Sequence, residues 1–423
     1  MDWLATLRSG AALDARRAIT LGGILLAIEV AVFLFLIAGT HGWIVPLDRP
    51  TTTDFASFYA AGSLTDAGTP FLAYDQTAHY AAEQQATAYG IEYQFFYYPP
   101  VFLLICGLLA RLPYMAAFVT FEAASLLLAL LVARGTLKAK GWRILVPLLA
   151  FPSVFWTLGL GQNAFLTMAL FGGALLLVDR RPTTAGMLFG ALCYKPHFGL
   201  LVPVALAAGG RWRAFLGAAL SATAIVALSL MLFGWQSWQD FLAAAGNSAA
   251  TYESGRIDPS GFVTFFGAAR LMGASPTFAY ALQSAGAVAA IVLVAVVWRC
   301  QLSLPLRAAA LAAGTLIAVP LALVYDFLLA GLAMAWLVRA GSEDGFLPWE
   351  KTVLAASFLT PLLSRNLGLA LHLPIAPLAL LALLGLVTLH ARQELLRRYG
   401  NTISPFRGAI RGVIEGRAAA QMQ

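Results

Sequence analysis

Residues 53–62 read Thr-Asp-Phe-Ala-Ser-Phe-Tyr-Ala-Ala-Gly, and residues 96–100 read Phe-Tyr-Tyr-Pro-Pro. The segment bounded by these two sequences is the longest interruption of apolar sequence in the chain. Counted from Asp48, it holds six acids and a single base, Arg49. It follows closely on the first apolar run, so we expect Asp54 to lie near a membrane surface.

The composition indicates an integral membrane protein. Of the 423 residues, 60% are hydrophobic and 11% are charged, and the mean hydropathy is +0.78. A soluble domain carries about 25% charged residues. Several apolar runs approach the roughly 20 residues that a helix needs to cross a bilayer. No stretch is long enough for a separate soluble domain, so we predict one transmembrane domain over residues 1–423.

The net charge of +7 does not indicate a nucleic-acid partner. The bases fall in short loops between apolar runs and at the two ends of the chain, as the positive-inside rule describes. The three cysteines are isolated in apolar sequence, and the histidines lack the spacing of metal ligands. We therefore predict neither a metal site nor a cofactor, and we expect membrane lipids as surroundings.

Charge placement predicts an all-α polytopic protein with about ten full spans and both termini in the cytoplasm. Residues 40–113 form a first external loop with interfacial helices, 234–277 a second external loop, and 392–423 a basic cytoplasmic tail. The predicted crossings lie at about 19–39, 115–133, 143–159, 164–178, 214–233, 278–298, 305–324, 327–339, 351–364 and 369–390.

Two apolar segments do not fit simple crossings. Residues 101–112 are too short to span and are expected to dip into the membrane from outside. Residues 184–208 have bases at both ends, so a single crossing would leave one basic cluster outside. Gly190 and Lys195-Pro196 interrupt this run, which favours a re-entrant pair of half-helices with its apex at Lys195. Broken helices at membrane depth line cavities.

Lys195 is the clearest functional candidate, because an ionisable residue at membrane depth costs a few kcal/mol. It could bind a lipid phosphate, as a compact positive charge does. It could equally extend to the interface or pair with a structural acid. Asp54 is open between two roles, a helix N-cap ahead of Phe55 and a base that accepts a proton from a hydroxyl.

Other polar residues predicted on the outer side are also open to two interpretations. Tyr325-Asp326 fits a polar helix junction or a substrate clamp, and Gln162-Asn163 fits a turn. His197 alone is more often structural than catalytic.

Together these segments resemble glycosyltransferase family 87. The resemblance covers about residues 50–330, and its motifs are individually weak but fairly specific in their order. They are Asp54 to Gly62, Gly68, Tyr74-Asp75, Phe96 to Pro100, Leu112-Pro113, Gly161-Gln162-Asn163, Ala185-Gly186 to Tyr194-Lys195-Pro196, and Tyr325-Asp326.

The resemblance implies the C-type membrane glycosyltransferase fold and a polyprenyl-phosphate sugar donor, with mannose as the sugar. Asp54 would be the catalytic base of an inverting transfer to a lipid or glycan hydroxyl. Lys195 and His197 would bind the donor phosphate. The expected substrate-binding residues are Tyr59, Tyr97, Tyr98, Gln162, Asn163, Tyr325, Asp326 and, in the second external loop, Arg256. The expected location is the bacterial cytoplasmic membrane, with the active site facing the periplasm.

Two other classes of function are considered beside the transferase. A transporter or flippase of lipid-linked sugars commonly shows internal repeats around a site at the membrane midplane, and no repeat occurs here. A non-catalytic membrane scaffold would leave Asp54 and Lys195 without a purpose.

Overall fold

The structure, a computed structural model, describes residues 3–38, 45–47, 49–51, 54–253 and 257–420. Its regular elements are helices, apart from one antiparallel pair of short strands, β1 (Val45–Leu47) and β2 (Arg49–Thr51). The all-α expectation is therefore confirmed for the bulk of the chain.

The helices of the first half are α1 (Trp3–Ser9), α2 (Ala15–Ala38), α3 (Phe55–Asp66), α4 (Gln76–Ala86), α5 (Leu103–Leu109), α6 (Tyr114–Thr136), α7 (Val146–Leu149), α8 (Pro152–Leu160) and α9 (Ala164–Leu177). Those of the second half are α10 (Pro182–Ala191), α11 (Val202–Ala208), α12 (Trp212–Glu253), α13 (Phe265–Leu271), α14 (Pro276–Arg299), α15 (Leu304–Ala318), α16 (Leu328–Asp344), α17 (Glu350–Leu371) and α18 (Ile375–Ala420). Short 3-10 turns occupy Pro70–Tyr74, Pro100–Phe102, Trp142–Leu145, Leu192–Tyr194, Pro196–Gly199 and Pro259–Gly261.

Six helices in the described residues are long and apolar enough to cross a membrane. They are Ala15–Phe35, Tyr114–Thr136, Trp212–Asn247, Pro276–Arg299, Glu350–Leu371 and Ile375–Tyr399. A seventh span results if Trp142–Leu149 and Pro152–Leu160, which meet at 68°, form one broken crossing.

The expectation of ten full spans is not confirmed. Two of the predicted crossings are the short helices α9, of 14 residues, and α15, of 15 residues. At a rise of about 1.5 Å per residue they reach roughly 21–23 Å, whereas the hydrocarbon core is about 30 Å thick.

The predicted break at Lys195-Pro196 is present in the structure. α10 ends at Ala191, and Lys195 adopts φ −136° and ψ 67°, outside the helical region. Pro196 lacks an N–H and disfavours a helical residue before it, which accounts for the interruption. The expected re-entrant pair of half-helices in the membrane is not confirmed.

Gly190 does not break the helix as predicted. It lies inside α10, where a Cβ atom would come within 2.4 Å of the Ala218 carbonyl oxygen of α12. At Gly186, one turn earlier, the corresponding distance to the Ala214 carbonyl oxygen is 2.2 Å. Both glycines therefore allow the backbones of α10 and α12 to touch, as small residues do between membrane helices.

The predicted second external loop, residues 234–277, is largely helical. α12 continues to Glu253 after an interruption at Gly234, whose φ of 75° is in the left-handed region. The alanine-rich sequence of residues 243–250 favours a helix, which the loop prediction overlooked. α13 follows after a stretch that includes Arg256, and Arg256 lies outside the described residues.

Ion pairs join the loops that carry many of the bases. Asp179, after α9, contacts Arg211 at 2.8 Å and Arg307 at 2.5 Å. At the end of α16, Glu343 contacts Lys138 at 2.5 Å, and its neighbour Asp344 contacts Arg397 at 3.2 Å. The C-terminal ends of α9 and α16 therefore lie beside these ion pairs.

We expect Gly186→Ala to destabilise the protein, because the added methyl group would force apart the backbones of α10 and α12. Overpacking of this kind costs about 1–3 kcal/mol. Thermal unfolding of the purified protein measures the effect. Gly159→Ala in α8 is the matched control, since a Cβ atom there meets nothing within 4 Å. Equal melting temperatures for the two variants would contradict the close-packing assignment.

Candidate active site

Asp54 occupies the position that precedes α3, but its side chain does not cap that helix. Its backbone is already helical, with φ −60° and ψ −19°, whereas a capping residue has an extended backbone. The carboxylate instead accepts a hydrogen bond from Gln162 Nε2 at 2.7 Å to Oδ2. Of the two interpretations of Asp54, capping is therefore not what the side chain does in the structure.

Gln162 reaches Asp54 because α8 ends abruptly at Gly161. Gly161 adopts the left-handed conformation, with φ 68° and ψ 45°. A Cβ atom at this position would also lie 2.6 Å from the Phe55 Cβ atom. Glycine thus provides both the turn and the close approach to α3.

Gln162 and Asn163 do more than form a turn. Gln162 Oε1 accepts a hydrogen bond from the Tyr98 hydroxyl at 3.3 Å. Asn163 Oδ1 accepts one from Lys195 Nζ at 3.2 Å. The two adjacent amides therefore connect Asp54 to Lys195.

Lys195 forms a buried ion pair with Asp326. The distance from Nζ to Oδ1 is 2.7 Å, and the residues are 5% and 4% exposed. Asp326 Oδ2 also accepts a hydrogen bond from the Leu323 N–H at 3.1 Å. The Lys195 ammonium group lies 4.9 Å from the Phe198 ring centroid and 5.3 Å from that of Tyr325. Pairing with an acid, one of the interpretations of Lys195, is thus observed, and Tyr325-Asp326 occupies a polar junction before α16.

Three other predicted site residues also have defined contacts. The Tyr59 hydroxyl donates to the Leu112 carbonyl at 2.9 Å. The His197 ring packs against Phe198, with centroids 4.4 Å apart. Tyr97 stacks on Phe95, with centroids 5.3 Å apart.

Tyr252 of α12 approaches the site and was missed from the sequence. Its ring centroid lies 6.3 Å from that of Tyr97. Burial raises the pKa of Tyr252, and the neighbouring Tyr97 and Asp326 raise it further. Tyr252 was not selected as a site residue because it lies in residues 234–277, which were predicted as a loop, and no sequence motif marks it.

Burial raises the pKa of Asp54 to about 6, while the hydrogen bond from Gln162 and the charge of Lys195 lower it. A carboxylate with such a pKa can accept a proton near neutral pH. Within the part of the chain that the structure describes, no three His, Cys, Asp or Glu side chains lie close enough to hold a metal ion.

A largely helical membrane protein with a carboxylate, two amides and a buried lysine in one site fits an enzyme embedded in the membrane. The sequence profile of Glycosyltransferase family 87 matches residues 96–324, more than half of the chain. The protein belongs to this family and is a glycosyltransferase. The matched range includes Gln162, Asn163 and Lys195, whereas Asp54 precedes it. No curated protein and no solved structure shows a significant match.

We expect Lys195→Met to destabilise the protein by about 3–5 kcal/mol, because it leaves Asp326 buried without its cation. The double variant Lys195→Met/Asp326→Asn should recover most of that stability, since the uncharged amide introduced at position 326 can still accept the Leu323 N–H. Thermal or denaturant unfolding measures both.

The exposed pair Arg111–Asp66, 3.0 Å apart, provides the control for this comparison. Arg111→Met should cost at most about 1 kcal/mol, the usual range for a surface ion pair. Equal losses at Lys195 and Arg111 would contradict a buried pair.

Proposed function

We propose that the protein is an inverting glycosyltransferase that moves mannose from a polyprenyl-phosphate donor to a hydroxyl of a lipid or glycan acceptor. The observation that carries this proposal is the Asp54 carboxylate, which is held by Gln162 instead of capping its helix. Within the described residues only Oδ2 of this carboxylate is hydrogen bonded. Oδ1 is then the atom that receives the acceptor proton.

The proposed reaction is a single displacement. Asp54 takes the proton from the acceptor hydroxyl as that oxygen attacks the anomeric carbon of the sugar. A bond from the acceptor oxygen to the anomeric carbon forms, and the bond from that carbon to the phosphate oxygen breaks. The electron pair leaves with the polyprenyl phosphate, so the configuration at the anomeric carbon inverts. Phosphate is a good leaving group, and the mechanism needs no general acid.

Two donors in the site suit the phosphate that leaves. An ammonium group has three N–H donors, and those of Lys195 meet two acceptors, on Asn163 and Asp326. The Asn163 side chain is fully buried, and its Nδ2 lies near the Tyr98 hydroxyl but forms no hydrogen bond of good geometry among the described residues. A phosphate oxygen would satisfy this amide and the third N–H of Lys195. Donors fixed in this way stabilise the charge that develops in the transition state.

The same proposal places the site at the outer face of the cytoplasmic membrane, which is the periplasmic face in a Gram-negative cell. α9 begins beside Asn163 and ends near Asp179, where ion pairs gather several basic loops. α16 likewise starts after Asp326 and ends at Asp344. The positive-inside rule assigns the basic end to the cytoplasm, which supports an outward-facing site.

We expect Asp54→Asn to reduce sugar transfer by about 10²–10⁴-fold, the usual contribution of a general base. The amide keeps the shape of the carboxylate but cannot accept the proton. Transfer from polyprenyl-phosphate mannose by the purified protein, with a membrane lipid extract as the acceptor source, measures the effect.

Asp66→Asn is the matched control for Asp54→Asn. Asp66 ends the same helix and pairs with Arg111 at the surface, so its loss should leave the rate of transfer unchanged. Wild-type transfer by Asp54→Asn would overturn the mechanism and favour a transporter of lipid-linked sugars.

The pH dependence of kcat/KM provides a separate prediction. Activity should rise with pH through a midpoint near the Asp54 pKa of about 6, because only the ionised carboxylate accepts a proton. Gln162→Leu removes a hydrogen bond that lowers this pKa, so its midpoint should move to higher pH. A profile that is flat between about pH 5 and pH 8 would exclude Asp54 as the titrating base.

A further inference from the structure

Besides Lys195 and Asp326, another pair of buried ionisable side chains lies on α4, near Asp54. His79 and Glu83 are one helical turn apart, and both side chains are 0% exposed. His79 Nδ1 faces Glu83 Oε1 at 3.7 Å. Neither of these two atoms has a hydrogen-bond partner among the described residues. Buried polar atoms without partners are costly, so this arrangement calls for an explanation.

The remaining polar atom of each side chain has a partner that fixes its protonation. His79 Nε2 lies 3.0 Å from the Ser57 carbonyl oxygen. A carbonyl oxygen only accepts, so Nε2 carries a hydrogen, and Nδ1 of the neutral ring is an acceptor. Glu83 Oε2 accepts the Gln94 N–H at 3.2 Å, which leaves Oε1 as the atom that can bear a proton.

We propose that a proton on Glu83 Oε1 is donated to His79 Nδ1, and that this neutral pair positions Asp54 for catalysis. The proposal rests on the proposed function of Asp54 as the base. A small rotation of the carboxyl group closes the 3.7 Å separation to hydrogen-bond distance. One shared proton then satisfies both unpartnered atoms.

The electrostatic surroundings agree with a neutral pair. Burial raises the pKa of Glu83 to about 8, with a further contribution from the charge of Asp54, while the hydrogen bond from Gln94 lowers it. Burial lowers the pKa of His79 to about 4. The titratable groups that face the pair from adjacent segments are Asp54 at the start of α3 and Tyr93, whose ring lies 5.7 Å from that of His79.

The contacts of the pair explain how it would position the site. Ser57 belongs to the first turn of α3, and its N–H donates to the Asp54 carbonyl at 3.2 Å. Gln94 belongs to the segment that leads to Tyr98, whose hydroxyl donates to Gln162. His79 and Glu83 therefore link the two segments that meet at Gln162. They are positioning residues, since neither contacts the reacting atoms.

Two substitutions of Glu83 separate the shared proton from mere filling of space. Glu83→Gln keeps a donor for His79 Nδ1 and an acceptor for the Gln94 N–H, whereas Glu83→Leu removes both. We expect Glu83→Leu to lower kcat by about 10- to 100-fold through misplacement of Asp54. Glu83→Gln should stay within about twofold of wild type between about pH 5 and pH 8.

The chain offers a matched control at a different site. Glu350 and His390 form a buried carboxylate–imidazole pair at 2.9 Å, and Glu350 Oε2 accepts the Leu347 N–H at 2.6 Å. Glu350→Leu should lower the melting temperature as Glu83→Leu does, but leave kcat and its pH profile unchanged. Equal loss of kcat in both variants would show a general stability effect and overturn the positioning role.

A readout without substrate keeps this test independent of the proposed reaction. The pH dependence of carbodiimide labelling at Asp54, followed by mass spectrometry of the Asp54 peptide, reports its titration. In Glu83→Leu the Gln162 hydrogen bond weakens, so the midpoint should rise, while Glu83→Gln and Glu350→Leu should match wild type. An unchanged midpoint in Glu83→Leu, or equal damage in Glu83→Gln, would overturn the neutral pair. Wild-type transfer by Asp54→Asn would instead overturn the proposed function and leave the labelling result valid.

Discussion

The buried ion pair between Lys195 and Asp326 is the constraint on which the site depends. A lysine with 5% exposure is stable only when an anion and further acceptors replace the lost water. Asp326 supplies the charge, and Asn163 supplies the second acceptor. This requirement ties three distant parts of the chain together: the turn after α8, the break between α10 and α11, and the loop before α16.

The surroundings of Asp54 depend on the same contacts around Lys195. Gln162, which holds its carboxylate, is the chain neighbour of Asn163, which holds Lys195. Each acid of the site accepts a hydrogen bond from a donor: Asp54 from the neutral Gln162, and Asp326 from the cationic Lys195. The charge of Lys195 partly offsets the effect of burial on the Asp54 pKa. Because Lys195 acts on both carboxylates, a donor phosphate that contacted it would also change the basicity of Asp54.

The sequence predicted the components of this site better than their contacts. Polar residues such as Asp54, Gln162 and Lys195 stand out because they interrupt apolar runs or adjoin them. The pairing of Lys195 with Asp326 was open, since sequence patterns do not specify which distant side chains meet. The approach of Tyr252 was missed for the same reason. The helical course of α12 beyond Gly234 was missed because the helix propensity of residues 243–250 was overlooked. Gly190 was misinterpreted because a glycine that permits close packing looks, in sequence, like one that ends a helix.

Two of the predicted full crossings that are not confirmed, α9 and α15, adjoin the site. The shorter apolar helices are Pro100–Leu109, Ala164–Leu177, Pro196–Ala208 and Leu304–Ala318. The first begins two residues after Tyr98, and the second and third begin directly after Asn163 and Lys195. The fourth leads into the loop that carries Asp326. A helix that stops inside the membrane exposes backbone groups, which is tolerated where they line a polar cavity. The same interruptions that shorten these helices below a full crossing therefore bring their polar ends to Asp54.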